Sequence, residues 1–451
     1  MEYQLKDSGV EWLGEIPEHW AASRIKYCAV IRGGFAFPSS EYKDEGIPLI
    51  RISNTYLSRL DLTRQPVFLD ESYLDTHKSF SIKKGDILMS LTGTLGKRDY
   101  GFVIQINLDG IFLLNQRVAK LETNWKVLDR YFIYALQSEA FLAPIYSLPV
   151  GTKQANLSNE DIVNQSIPLP PKQEQIAIAE YLDQATEKID QTIATKEAQL
   201  DTLTQYRKSL IQEKVTKGLT PNPALKDSGV EWLGKIPEHW EVKRVKSLVS
   251  KVNSGVTPKG GSKAYLDEGV PLIRSQNILD GSFSLSDAVF IDEATHLKMA
   301  NSHVRENDVL LNITGASLGR SAVFNSDTVV NVNQHVCIIR PHSWRSPQYL
   351  NYLLIADVGQ SQIFSSFTGS GREGLSFESI KRFICPLPPK EEQIAIAEYL
   401  DEATEKIDST SQNLRDQIDT LKKYRKSLIH EVVTGRKRVY HKDLTSTSHA
   451  E

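Results

Sequence analysis

Apolar residues recur every three or four positions along two long stretches. One seam runs Ala179, Leu182, Thr186, Ile189, Ile193, Lys196, Leu200, Leu203, Arg207, Leu210, and the other Ala397, Leu400, Thr404, Ile407, Ser411, Leu414, Ile418, Leu421, Arg425, Leu428. Seven of the ten positions are apolar in each, with charges between, which is the pattern of a coiled-coil helix held for about five heptads. Each helix is predicted to begin at the lysine of a Pro-Leu-Pro-Pro-Lys string, Lys172 or Lys390, because proline lacks the N–H donor and holds its predecessor extended. About 42 residues at 1.5 Å each make either helix roughly 60 Å long. Such a seam cannot stay exposed, and the economical partner of each helix is the other, antiparallel. Thr186/Thr404 and Arg207/Arg425 interrupt the seams at equivalent places and are expected to fix register at some cost in stability.

Elsewhere the pattern is mixed. Residues 47–52 and 86–91 read as short strands bounded by Gly46, Gly85 and Gly93, and 269–274 with 308–315 repeat that skeleton. Residues 127–138 have helical spacing, with Leu128, Tyr131, Phe132, Ala135 and Leu136 on one face. Residues 347–355 give the matching helix, with Tyr349, Tyr352 and Leu353.

These matches belong to a duplication. Residues 168–190 return as 386–408, an offset of 218, with only Gln173/Glu391 and Gln184/Glu402 changed. Residues 6–20 return as 226–240 with only Glu15/Lys235 changed. The period is far above that of solenoid repeats, so a whole domain-plus-helix unit is used twice. Trp12, Leu13, Ile16 and Trp20 read as an anchor packed on something constant. The fold class expected is mixed α+β: two homologous α/β domains separated by two long antiparallel coiled-coil helices about a pseudo-two-fold axis. The segments are an anchor (1–20), a first domain (21–167), a helix (168–215), a linker with the repeated anchor (216–240), a second domain (241–385), a second helix (386–433) and a tail (434–451). On B-DNA, whose turn is about 34–36 Å, such a spacer would hold two readers one to two turns apart.

Composition narrows the picture less. The 451 residues are 40% hydrophobic and 24% charged, ordinary for a folded chain. The first residues lack the charged-then-apolar plan of a signal peptide, and no run approaches a membrane span. Cys28, Cys337 and Cys385 are isolated, which suits a reducing cytosol, and no Cys/His spacing suggests a metal site. No membrane association and a cytoplasmic location are expected. The net charge of −3 announces no nucleic-acid partner; a DNA surface would have to come from the placement of charges.

The residues from Ile167 and Cys385 through Pro-Leu-Pro-Pro-Lys to Glu174-Gln175 and Glu392-Gln393, the copies of 178–182, the pairs Trp12/Trp20 and Trp232/Trp240, and Gly85-Asp86-Ile87-Leu88 followed by Thr92-Gly93 together resemble the specificity subunit of type I restriction–modification systems. The resemblance covers essentially the whole chain. The second unit departs from it by carrying Asn307 where the first has Gly85. It implies two target recognition domains, each reading half of a split site in double-stranded DNA, joined by helices that bind two modification (methyltransferase) subunits. Those subunits would bind S-adenosylmethionine and methylate adenine, and two restriction (translocase/nuclease) subunits using ATP and Mg would complete the complex. This chain would be non-catalytic and hold no cofactor. Its residues agree: it has no Asn/Asp-Pro-Pro-Tyr string of an amino-methylase, and Glu238…Glu241-Val242-Lys243 mimics a nuclease pattern absent from the first unit. A self-sufficient methylase would need those motifs, and a pure scaffold leaves divergence confined to the globular ends unexplained.

Candidate DNA contacts follow from residue type and place. Residues 92–98 and 314–320 are glycine-containing loops after a strand, offering Lys97, Arg98 and Arg320 to phosphate or serving as plain turns. Residues 255–262 have a phosphate-loop outline but carry Gly261 where the Walker lysine belongs, which leaves Lys259 and Lys263 as DNA contacts. Asn115-Gln116-Arg117 aligns with Asn333-Gln334-His335; the matched asparagines suit a structural role, whereas Arg117/His335 could discriminate bases, with Gln116 and Gln334 beside them. Lys153, Gln154 and Arg372 lie in polar, divergent loops. Tyr42 and Tyr265 read as core. Trp12, Trp20, Glu174 and Gln175, with Trp232, Trp240, Glu392 and Gln393, are assigned to the docking surface for the modification subunit, against the alternative of self-packing.

Overall fold

A computed structural model describes residues 4–55, 58–148, 154–368 and 374–439. The chain divides into two compact units, Met1–Lys196 with Asp416–Glu451, and Glu197–Arg415.

In unit 1 an antiparallel sheet runs in the order Val103–Gln105, Ile87–Ser90, Val118–Thr123, Ala29–Gly33. A second sheet, Phe68–Leu69, Ile47–Ile50, Ile111–Leu114, Ser81–Lys83, has a parallel central pair. Side chains alternate across a strand, and the second sheet uses both faces. Ile50, Phe112 and Leu114 join Leu88, Ile104 and Val118 in one core, while Leu49 and Leu113 join Phe37 and Leu69 in another. Tyr42 packs on that second core, with Arg51 over its ring. The sheets are therefore buried on the faces the short apolar runs demanded.

Unit 2 repeats this plan. Its antiparallel sheet orders Val249–Ser254, Val336–Pro341, Val309–Asn312, Ser321–Val323, and a three-stranded sheet orders Val289–Ile291, Val270–Ile273, Asn331–Val332. Ile273 and Leu272 divide between two cores as Ile50 and Leu49 do, and Arg274 covers Tyr265. Asn307, in the place of Gly85, shares its positive φ (71° against 95°); asparagine is one of the few side chains that tolerate the left-handed region.

Each domain enters and leaves through one ribbon. Ala21–Arg24 pairs with Ser166–Leu169 in unit 1, and Glu241–Arg244 with Ile384–Leu387 in unit 2. The long helices follow at once, Lys172–Lys217 and Lys390–Val433, starting where the prolines end. Unit 1 holds the start of the first helix and the end of the second, and unit 2 the converse. Within unit 1, Asp190 accepts from Nε and Nη2 of Arg425 at 2.9 and 3.2 Å, and Gln417 from Lys196 at 2.6 Å. Rising numbers on one helix meet falling numbers on the other, so the pairing is antiparallel. Unit 2 contains the twin contact, Arg207 to Asp408 at 3.0 and 3.3 Å. Seam residues Ala179, Leu182, Ile189 and Ile193, and Ala397, Leu400 and Ile407, are buried.

The polar seam positions do more than set register. Thr186 donates to the Leu182 carbonyl at 2.6 Å and meets the Tyr134 hydroxyl, which itself donates to Asp183 at 2.7 Å. Tyr352 makes the same contacts with Thr404 and Asp401. Tyr131 and Tyr349 donate to the carbonyls of Pro168 and Pro386, both at 2.8 Å. Burial pushes the Tyr134 phenol above its usual range. The helix Asp129–Gln137 and its counterpart Pro347–Ile355 are thus each bolted to the long helix start of their own unit.

Arginine in the seam is held by a single partly exposed pair, with side chains 29% and 34% exposed for Arg425 and Asp190. A double-mutant cycle on that pair is expected to give a coupling below about 1 kcal/mol. The Arg207–Asp408 cycle is expected to give less, since Asp408 is 57% exposed. Denaturant titrations of wild type, the four single variants and the two double variants measure both.

Candidate nucleic-acid interface

The turn 115–117 is fixed from every side. The Asn115 carbonyl accepts from Val118 at 2.9 Å, Gln116 donates its N–H to Phe35, and the Arg117 carbonyl accepts from Leu91 at 2.9 Å. In unit 2 the Asn333 side chain accepts from the His335 N–H at 3.0 Å, and the His335 carbonyl accepts from Ile313 at 3.0 Å. Buried Asn115 and Asn333 thus carry the structural role their match implied. A glycine backs each turn: a Cβ on Gly34 would stand 2.3 Å from the Asn115 oxygen, and one on Gly255 1.6 Å from the Val332 oxygen. Gly255 is there for close approach, not to cradle a phosphate. Gly34→Ala is expected to destabilise unit 1 by about 1–3 kcal/mol, read as an earlier urea transition of that unit.

Beside the first turn, Thr92–Thr94 pairs with Gln154–Asn156, Gln154 standing opposite Thr94. These segments enclose a cleft of about 440 Å3 lined by Ser53, Thr92, Asp99, Arg117 and Gln154 among others. Three stretches singled out separately in the sequence therefore meet at one place. The Ser53 and Thr92 hydroxyls are shut off from solvent and have no partner among the described residues. A buried polar group left unpaired costs about 1–3 kcal/mol, a cost carried here by the wall of the cleft. Ser53 and Asp99 carry no signal of their own in the sequence, Asp99 standing just past the loop 92–98 and Ser53 far from it; the fold alone joins them to Arg117.

The same segments converge in unit 2, where Thr314 bridges to Gly374. There, however, Nδ1 of His335 lies 2.6 Å from the Thr314 hydroxyl, and the Gln334 amide lies 2.9 Å from Nε2. Both ring nitrogens are engaged.

The remaining candidates scatter. Lys97, Gln116 and Arg320 are exposed. Arg98 is also exposed but committed to its own unit, 3.6 Å from Glu139 and over the Tyr146 ring. Lys259 and Lys263 are exposed on the loop leading to Tyr265. Lys153 and Arg372 lie outside the described residues.

The docking assignment divides. Trp20 and Trp240 are 2% and 0% exposed, and their indole N–H groups donate to Glu174 and Glu392 at 3.0 and 3.1 Å. His19 and His239 meet the same carboxylates at 2.7 and 2.8 Å. Gln175 is buried: its carbonyl accepts from Leu128, and its amide donates to Lys126 and Pro170. Gln393 likewise accepts from Ser346 and donates to Pro388. For Trp20, Trp240, Gln175 and Gln393 the docking expectation therefore gives way to self-packing, because their surfaces and polar atoms are used inside the unit. Trp12 and Trp232, 46% and 50% exposed, were expected to pack as anchors and instead face solvent. Glu174 and Glu392 remain partly exposed, at 30% and 23%.

Among the described residues no group of three or more His, Cys, Asp or Glu is arranged to hold a metal, and no helix is long and apolar enough to cross a membrane. Residues 17–202 and 237–420 each match the family model described as "Type I restriction modification DNA specificity domain". The chain is 27% identical to the EcoBI type I restriction enzyme specificity subunit of Escherichia coli, over 96% of this chain and 89% of that one. It is 26% identical to the MjaVIII specificity subunit of Methanocaldococcus jannaschii, over 97% and 98%. A solved chain from work on complex assembly and conformational transition of the type I R-M system shares the fold, with a TM-score of 0.68 at 17% identity over 93% of this chain and 98% of that one.

Proposed function

Since this chain belongs to the type I restriction–modification DNA specificity family, we propose that each of its recognition domains reads one half of an asymmetric, two-part site in double-stranded DNA. The observation that supports this reading is the pair of turns: the frames are alike, clamped by Asn115 and Asn333, while one carries an exposed Arg117 and the other a His335 held by Thr314 and Gln334, so the two domains cannot read the same bases. Like frames with unlike side chains are what two readers of different sequences need. The long helices set the separation of the half-sites.

The chain itself is non-catalytic, works in the cytoplasm and takes no cofactor. The exposed parts of the repeated anchors, Trp12 and Trp232, with the partly exposed Glu174 and Glu392, dock two modification subunits. S-adenosylmethionine belongs to those subunits, and ATP with Mg to two restriction subunits in the full complex.

Selection from random duplexes by the chain assembled with its modification subunit tests this function. Two short enriched blocks separated by a constant gap are expected. Enrichment of one block, or of none, contradicts two-part reading.

A further inference from the structure

We propose that Arg117 is a specificity-determining residue that reads the edge of a guanine in the half-site bound by unit 1, and that its counterpart His335 reads no base. The proposal rests on the reading of unit 1 as a half-site reader. Arg117 is exposed at the cleft formed with Thr92, Asp99 and Gln154, and its backbone carbonyl is tied to Leu91. Its side chain has no hydrogen-bond partner among the described residues. Guanidinium offers only donors, in a planar fork. Guanine presents two acceptors, O6 and N7, in the major groove, whereas adenine presents one acceptor and one donor.

A phosphate contact suits the site less well. Asp99 lines the same cleft, and a carboxylate repels phosphate oxygens while accepting from a base amino group. The exposed Gln154 amide adds a group that donates or accepts as a base edge requires. In unit 2 the Thr314 hydroxyl and the Gln334 amide hold both nitrogens of His335, leaving the imidazole no free edge.

The test uses the chain assembled with its modification subunit, as wild type, Arg117→Ala and Arg117→Lys, on duplexes carrying each base in turn at every position of the unit 1 half-site. For wild type, replacing one guanine is expected to weaken binding roughly 5- to 150-fold. In Arg117→Ala that discrimination is expected to fall to about twofold or less at that position alone. Arg117→Lys keeps the charge without the fork, so it is expected to retain non-specific binding and lose most of the discrimination. Three results would overturn the proposal: a unit 1 half-site without guanine, discrimination unchanged in Arg117→Ala, or equal weakening on every duplex, the signature of a phosphate contact. A wild-type complex with no sequence preference in either half sinks the half-site reading itself and this proposal with it, whereas the other three leave that reading standing. Thermal melts confirm that the variants are folded.

Discussion

Exchange of residues 21–167 for the matching segment of another family member is expected to change one half of the recognised site and leave the other half untouched. Both ends of that segment lie on one ribbon, with Ala21 opposite Leu169 and Arg24 opposite Ser166, so a foreign domain can enter and leave the fold at the same place. The exchange is clean only if the donor keeps the groups that fasten a domain to its helix. These are the tyrosines equivalent to Tyr131 and Tyr134 and a backbone N–H that can meet Gln175, as Leu128 does at 2.8 Å. The effect is the largest available, because specific and non-specific binding of DNA typically differ 10³- to 10⁷-fold. Sequencing duplexes selected by the exchanged and parent complexes measures it. If both halves changed together, the units would not read independently.

Trp240→Ala and Trp232→Ala are expected to part company although both residues belong to the repeated anchor. Trp240 is fully buried, its ring lies against Gly218 at the end of the first long helix, and its N–H is held by Glu392. Gly218 takes a positive φ of 76° as the helix ends, the usual helix-closing conformation of glycine, and a Cβ there would stand 3.2 Å from the indole. Truncating so large a side chain in a core costs about 3–5 kcal/mol. Trp240→Ala is therefore expected to lower the denaturant midpoint of unit 2 sharply and to leave Glu392 with one partner fewer. Trp232→Ala removes a half-exposed ring, so stability is expected to hold within about 0.5 kcal/mol while affinity for the modification subunit falls. Urea titration and co-purification of the two variants separate these outcomes. Equal destabilisation would place Trp232 in the core, and unchanged assembly would remove it from the docking surface.

Much of the fold was legible because it rests on periodicity. The helix starts at Lys172 and Lys390 follow from proline chemistry, and the seam follows from three-to-four spacing. The strands Ile47–Ile50 and Ile87–Ser90 follow from short apolar runs between glycines. The antiparallel pairing was predicted from the need to cover two seams, and Asp190–Arg425 and Asp408–Arg207 supply its register.

What escaped depends on contacts between distant segments. Thr186 looked like a register device, but its hydroxyl also meets Tyr134, 52 positions away. Gln175 and Trp20 look like a partner's surface in the sequence because they are repeated unchanged. Repetition has a second physical cause here: each copy must close the same loop onto the same helix start. The cleft beside Arg117 was half legible. Thr92, Arg117 and Gln154 lie in strings that stand out in the sequence, whereas Ser53 and Asp99 do not, and the locking of His335 by Thr314 shows only in the fold.

The central claim, that two unlike domains on one chain read a split site, is tested most directly by mapping N6-methyladenine across the genome of a host carrying this chain with its modification subunit. The expected result is methylation at one asymmetric motif of two short blocks separated by a fixed run of unread bases. Methylation at a continuous or symmetric motif, or none while the two proteins form a stable complex, would contradict it.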